Sequence, residues 1–442
     1  MFEIGRELRR WFSAPEPRDG LCLGDPSLLE LLDLKLLQSE ARAAQVAAGR
    51  IGAKDRPLRL IEAAQVWREL ARRTGDPVSL RKAAANADQA AKLAREEGRT
   101  HVLARALCEQ AAAALLGADL YGEDGLTAAG EHLLGRAEPS PLSNALQAGL
   151  QARRALSSGD LATVRAAALA FDPALAAFKG RRGGAQTAAR LRCERAEFLT
   201  GCAGRLHEPS LVRTALADLE QAVRALDAAY QPLTLARARE AQGLAHVRLA
   251  ESTGEVRPVM DGIDALQSAI ELITPDHSPM DWARLHHSLG LALSVLGEIA
   301  QSERAFDRSL KAFSAALQML DRVPAVALRT TAAQDRAAAL VRRAELCGDD
   351  YALDEAEAIL RSELAGLPSA PDPVAWAVLQ LNLARVYTTR MQVRGCDRGE
   401  RDRAAEALIA AMEVFADHGL RSLTTAADAG LERLREQASQ VR

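Results

Sequence analysis

The chain has 442 residues, enough for two or three ordinary domains or for one elongated array whose core grows with each repeat. A formal net charge of −3 gives no global argument for nucleic-acid binding, and aromatics at 4% leave few platforms for stacking bases. Hydrophobic residues make up 48%, so the core must be built from Ala and Leu; no alternating β-branched run is bounded by turn signals, and an all-α chain is expected.

The opening twelve residues form a candidate amphipathic helix, with Phe2, Ile4, Leu8, Trp11 and Phe12 beside Arg6, Arg9 and Arg10. That pattern suits an interfacial membrane helix or a docking peptide, and equally a helix folded back over the first hairpin. Glu3 and Glu7 and the want of an apolar h-region argue against a secretory signal. Residues 13–26 are rich in Pro and Gly, as in a tether. Asp25-Pro26 then predicts a Leu-rich helix to about Ala48, with Asp at the N-cap and Pro at the first helical position. Its stretch Leu28 to Leu37 is apolar around more than one face, which suits either a buried helix or self-association into a homo-oligomer.

From Arg56 the chain reads as helix hairpins joined by short connections: about 58–74 with 78–97, 99–117 with 122–135, 141–157 with 160–178, and 184–203 with 209–229. The next are 232–250 with 260–273, 279–297 with 301–320, 325–347 with 351–366, and 373–393 with 401–418. The Lys179–Gly184 stretch is the clearest punctuation. A final stripe of Leu420, Leu423, Ala427, Leu431, Leu434, Ala438 and Val441 predicts a capping helix over about 421–440. The expected divisions are thus 1–24 (amphipathic segment and linker), 25–180 (N-terminal hairpins), 181–419 (repeat array) and 420–442 (cap). No run reaches the ~18 consecutive apolar residues of a membrane span. The six cysteines are scattered with no CxxC pair, as in a reducing compartment, so a cytoplasmic protein with free thiols is expected.

A long period underlies the hairpins. Pro232, Pro279, Pro324 and Pro373 are separated by 47, 45 and 49 residues, and each is followed four residues on by Ala236, Ala283, Leu328 or Ala377. Gly243, Gly290 and Ala384 come eleven residues after their prolines, small enough to let helices approach closely. Two copies carry Trp282-Ala283 with Leu289-Gly290, and Trp376-Ala377 with Leu383-Ala384 and Tyr387; a weaker third has Trp67 with Leu70-Ala71. The pattern resembles the first helix of a tetratricopeptide repeat, although the spacing exceeds that family's usual ~34 residues. The resemblance implies a right-handed α-solenoid of about eight antiparallel hairpins serving as a non-enzymatic scaffold that binds a protein or peptide partner, with no cofactor.

Aligning the repeats places Arg190, Arg237, Arg284 and Arg329 in one column, with Arg192, Arg239 and His286 two residues later. In a stacked array such a column makes a basic ladder, able to clamp an acidic or phosphorylated segment or else to pair with carboxylates of neighbouring helices. A rival reading from another class is an all-α enzyme with an acidic site at Asp349, Asp350, Asp354 and Glu355, although a DDxxD spacing is missing and a charged helix N-terminus accounts for the cluster. His277, His286 and His287 lack partners at ligand spacing, so no metal site is expected.

Overall fold

A computed structural model describes residues 26–50, 55–156, 158–180, 184–367 and 373–440. The amphipathic segment with Phe2, Ile4, Leu8, Trp11 and Phe12 lies outside the described residues, as do Asp25, Arg181 and Arg182. Among those described there is no strand, and the chain is all-α: a succession of antiparallel helix hairpins, as the tetratricopeptide-like frame predicts. After a 3-10 helix, Pro26–Leu31, come α1 (Leu34–Gly49), α2 (Arg56–Thr74), α3 (Pro77–Glu96), α4 (Thr100–Tyr121), α5 (Asp124–Arg136), α6 (Pro141–Ala155), α7 (Leu161–Leu169) and α8 (Phe171–Phe178). The frame repeats are next, as α9 (Gly184–Leu206) with α10 (Pro209–Arg224), α11 (Pro232–Thr253) with α12 (Val256–Ile270), and α13 (Pro279–Ala300) with α14 (Glu303–Leu320). Then come α15 (Val326–Cys347) with α16 (Asp350–Ala365), α17 (Pro373–Arg394) with α18 (Glu400–Asp417), and α19 (Arg421–Gln440).

The local start signals act as expected. Pro232, Pro279 and Pro373 each occupy the first position of a helix, where the missing N–H costs nothing. Asp76 caps α3 by accepting from the amides of Val78 (3.1 Å) and Ser79 (2.9 Å). The long repeat comes from long helices: α11, α13, α15 and α17 each have 22 residues, while their partners have 15 to 18.

Two expectations are corrected. The single helix expected to run from Pro26 to about Ala48 is broken: the chain leaves the 3-10 turn at Leu32, and Asp33 starts α1 afresh by accepting from the Leu36 amide at 2.8 Å. The helix expected over 160–178 is two, meeting at Ala170, because Phe171 turns into the core beside Val164 and Ala174. By length and composition alone Leu161–Phe178 is apolar enough to cross a membrane, but it is these two helices in succession.

The chain divides into two compact units, one reaching Ser288 and including Met319–Ala327, the other comprising Leu289–Gln318 and Leu328–Arg442. In the first, small residues set helix spacing. A methyl placed on Gly262 would lie 2.8 Å from the Gly243 carbonyl oxygen, and one on Gly243 would lie 2.6 Å from Leu266 Cγ, so α11 and α12 touch backbone to backbone. The same unit folds its first helices onto later ones: Leu34 N donates to Asp276 O at 3.2 Å, and Gly75 lies against Met280 and Pro324. In the second unit Phe313, fully buried, fills the space over Gly290, and α19 buries Ala427, Leu431 and Leu434 with residues of α17 and α18.

Candidate functional site: a charged ladder on the first helices

In the first unit the first helices of successive hairpins bring alternating charges together. Arg237 on α11 forks onto Asp281 of α13, with Nε to Oδ1 and Nη2 to Oδ2 both at 3.1 Å. Arg284 on α13 reaches back to Glu240 of α11 at 2.8 Å and touches Asp281 at 3.4 Å, while Ser288 Oγ donates to Glu240 at 2.9 Å. From α2, Arg72 joins at Asp281 (2.9 Å) and is bound to Glu69, which also accepts from Arg73 at 2.8 Å. Burial works against charge on Glu69, yet the adjacent Arg72 and Arg73 outweigh it and hold its pKa far below the usual carboxylate range. Burial likewise opposes the charge on Arg72 and Arg284, but their carboxylate partners raise both. These ions are therefore paired and charged.

The ladder's far end holds a piece of the chain itself. Glu30, on the 3-10 turn, is fully buried, and its carboxylate accepts from Gln186 Nε2 (2.6 Å), Arg190 Nη2 (2.9 Å) and the Thr234 amide (2.9 Å), with a short bond from the Thr234 hydroxyl. The Thr234 amide lies in the first turn of α11, where no helical acceptor exists, so the carboxylate caps it. The backbone around Glu30 is held too. Arg73, fully buried, donates to Leu29 O at 2.5 Å and Leu32 O at 2.6 Å, and His277 Nε2 lies 2.6 Å from Glu30 O. Burial first, and then the neighbouring Arg73, lower the His277 pKa.

The structure brings four of the seven residues of the basic column and its neighbouring positions into this first-unit network or beside it. Arg190 meets Glu30 and Thr234; Arg237 and Arg284 meet carboxylates; Arg239, on the same helix, donates to Ser268 O at 3.0 Å. Arg192 is half-buried on α9, and the His286 ring packs on Trp282 with centroids 4.0 Å apart, its pKa lowered by burial. Arg329 belongs to the second unit, where it binds Glu363 at 2.6 Å. The acidic cluster at the rival site is bound up as well: Arg343 holds Asp349 (2.8 Å), Arg394 holds Asp350 (2.7 Å), Arg390 holds Asp354 (2.9 Å), and Arg336 pairs with Glu355.

Pairing of the column with carboxylates of neighbouring helices is among the sequence expectations, but the identities of the acceptors are not. Arg190 reaches Thr234 and Arg237 reaches Asp281, each 44 residues downstream, and Glu240 meets Arg284 across the same interval. A search of the frame for complementary positions, in place of identical ones, carries that signal. Glu30 has none, because its partners are 156 to 247 residues away. Two further carboxylates on α9, Glu194 and Glu197, have their pKa pushed up to about 7, chiefly by the surrounding protein; Arg153 and Arg284 respectively oppose the rise without cancelling it. Glu197 is exposed, so solvent screens much of this effect there, and the half-buried Glu194 is the carboxylate on which burial acts most.

No family model matches the chain, and no curated protein is a significant match. Solved structures similar to it include the Rap protein complexed with competence and sporulation factor, at 12% identity over 86% of this chain and 98% of that one, with a TM-score of 0.42. The human IFIT1 dimer with PPP-AAAA is 13% identical over 92% and 95%, TM-score 0.42, and yeast Tom70 is 13% identical over 90% and 97%, TM-score 0.23.

Proposed function

We propose that the chain is a non-enzymatic scaffold that binds a protein segment along the charged ladder of its first unit. One observation carries the reading: residues 29–32 are already held there as a peptide ligand would be, by side chains that take up main-chain carbonyls and one carboxylate. Side chains that take up main-chain carbonyls, with one buried charge-assisted contact to fix the register, can hold a short segment of this kind. The carboxylates of the rival enzymatic site each engage an arginine, which is the arrangement of a structural network. The partner is a protein carrying an acidic segment, and the compartment in which the two meet is the cytoplasm.

The test is quantitative affinity capture with the full chain and its Arg190→Glu variant, both checked for folding. The reading expects a set of proteins recovered by the wild-type chain and depleted at least tenfold by the charge reversal. Equal recovery of every captured protein by both forms would sink it.

A further inference from the structure

We propose that residues Leu29–Leu32 are a resident ligand, and that a partner docks on the first unit by displacing them with a segment of the same chemistry: a carboxylate flanked by leucines in an extended or 3-10 conformation. This inference rests on the scaffold reading above and names the partner's motif and the contact that keeps the site closed.

The manner in which the segment is held supports this. Leu29 and Leu32 are buried beside Val66, Trp67 and Leu70, two apolar anchors on one side of the turn. Between them Glu30 points to the opposite partners, Gln186, Arg190 and Thr234. The carbonyls of residues 29, 30 and 32 are all taken by side chains from elsewhere, Arg73 and His277. The turn therefore presents two leucines, one carboxylate and three carbonyls to a ready-made set of donors. These are the features through which a short linear segment is recognised.

The turn is also separable from α1. Asp33 caps that helix by itself, through the Leu36 amide at 2.8 Å, so the turn can leave the site without unwinding it. A six-residue 3-10 turn has little stability of its own and persists here through the site's contacts. Because it is tethered, it competes at a high effective concentration, and a free segment of equal intrinsic affinity binds weakly until the resident is removed.

The experiment measures fluorescence anisotropy of a labelled peptide of residues 26–35, PSLLELLDLK, titrated with the full chain. Glu30→Arg sets a cation against Arg190 and opens the site; the peptide is expected to bind this variant at least tenfold more tightly than the wild type. The same peptide with Gln in place of Glu should lose that gain, as should the double variant Glu30→Arg/Arg190→Glu, which restores an internal pair. Equal, measurable binding to wild type and Glu30→Arg overturns the resident-ligand inference and leaves the scaffold reading standing. No binding to either form overturns both.

If Glu30→Arg fails to fold by circular dichroism, hydrogen exchange on the wild-type chain decides. The Thr234 amide is protected by Glu30 and by no helical acceptor. Release of the turn predicts that this amide exchanges at least tenfold faster than the interior amides of α11, whereas exchange of both together overturns the inference.

Discussion

Arg73 joins three parts of the first unit, and its removal gives a quantitative test of that role. The side chain is fully buried, and its guanidinium donates to Leu29 O, Leu32 O and Glu69, with His277 O at 3.5 Å. Arg73→Met keeps much of the apolar stem and removes every donor. Each lost bond from a charged donor is worth about 1.5–3 kcal/mol, and two carbonyls are left buried with their acceptor capacity reduced. Glu69 keeps Arg72, which limits the damage on the carboxylate side. The net loss expected is about 3–4 kcal/mol, within the range for breaking a buried ionic network from one side. For a unit of this size that corresponds to a Tm lower by roughly 5–6 °C. Urea denaturation followed by far-UV circular dichroism measures it, with a constant m-value showing that the denatured state is unchanged. The control is Arg224→Met, whose pair with Glu220 is exposed and should cost no more than about 0.5 kcal/mol. A loss below about 1 kcal/mol for Arg73→Met would refute the assigned role.

Three other outcomes are expected from the packing and the charges. Gly262→Ala gains up to about 1 kcal/mol in helix propensity but drives a methyl against the Gly243 carbonyl, so a net loss of about 1–2 kcal/mol is expected in urea denaturation; a stabilised variant contradicts the close approach. Burial pushes the Glu194 carboxyl up to about 7 in the folded chain, against about 4.5 when unfolded, so stability should fall as pH rises from about 4.5 to 7 and level off above. The variant Glu194→Gln should flatten that part of the curve, and an unchanged slope in urea midpoints across pH 5 to 8 speaks against the assignment. Leu434→Ala removes a buried side chain from the contact of α19 with its unit and should cost about 2 kcal/mol or more by the same assay, whereas no loss would show that α19 adds nothing to the second unit.

Much of the architecture is legible because it is written locally. Prolines at first helical positions, the Asp76 cap and small residues such as Gly243 at a fixed offset each depend on contacts within one turn or one hairpin, which a repeating frame exposes. The break at Leu32–Asp33 is not local. The run of leucines there satisfies a helix pattern as well as it does a turn, and the outcome depends on Arg73, Gln186, Arg190, Thr234 and His277, which no window around residue 30 contains. The basic column is visible for a related reason: Arg190, Arg237 and Arg284 share one frame position, and identity is easy to align. Their acceptors differ in kind, Glu30 and Thr234, Asp281, and Glu240, so alignment by identity passes over them. Of the two readings the sequence allows for the column, an anion clamp or pairing with neighbouring helices, the folded unit shows ion pairs, with one carboxylate contributed by a distant turn.

Recognition of Glu30 by α9 is tested most directly by a double-mutant cycle on folding free energy with Glu30→Gln, Arg190→Met and the pair. The contact of 2.9 Å to a buried carboxylate predicts a coupling of about 1.5–3 kcal/mol, with the double variant more stable than the sum of the single losses implies. Additivity within about 0.5 kcal/mol would contradict it.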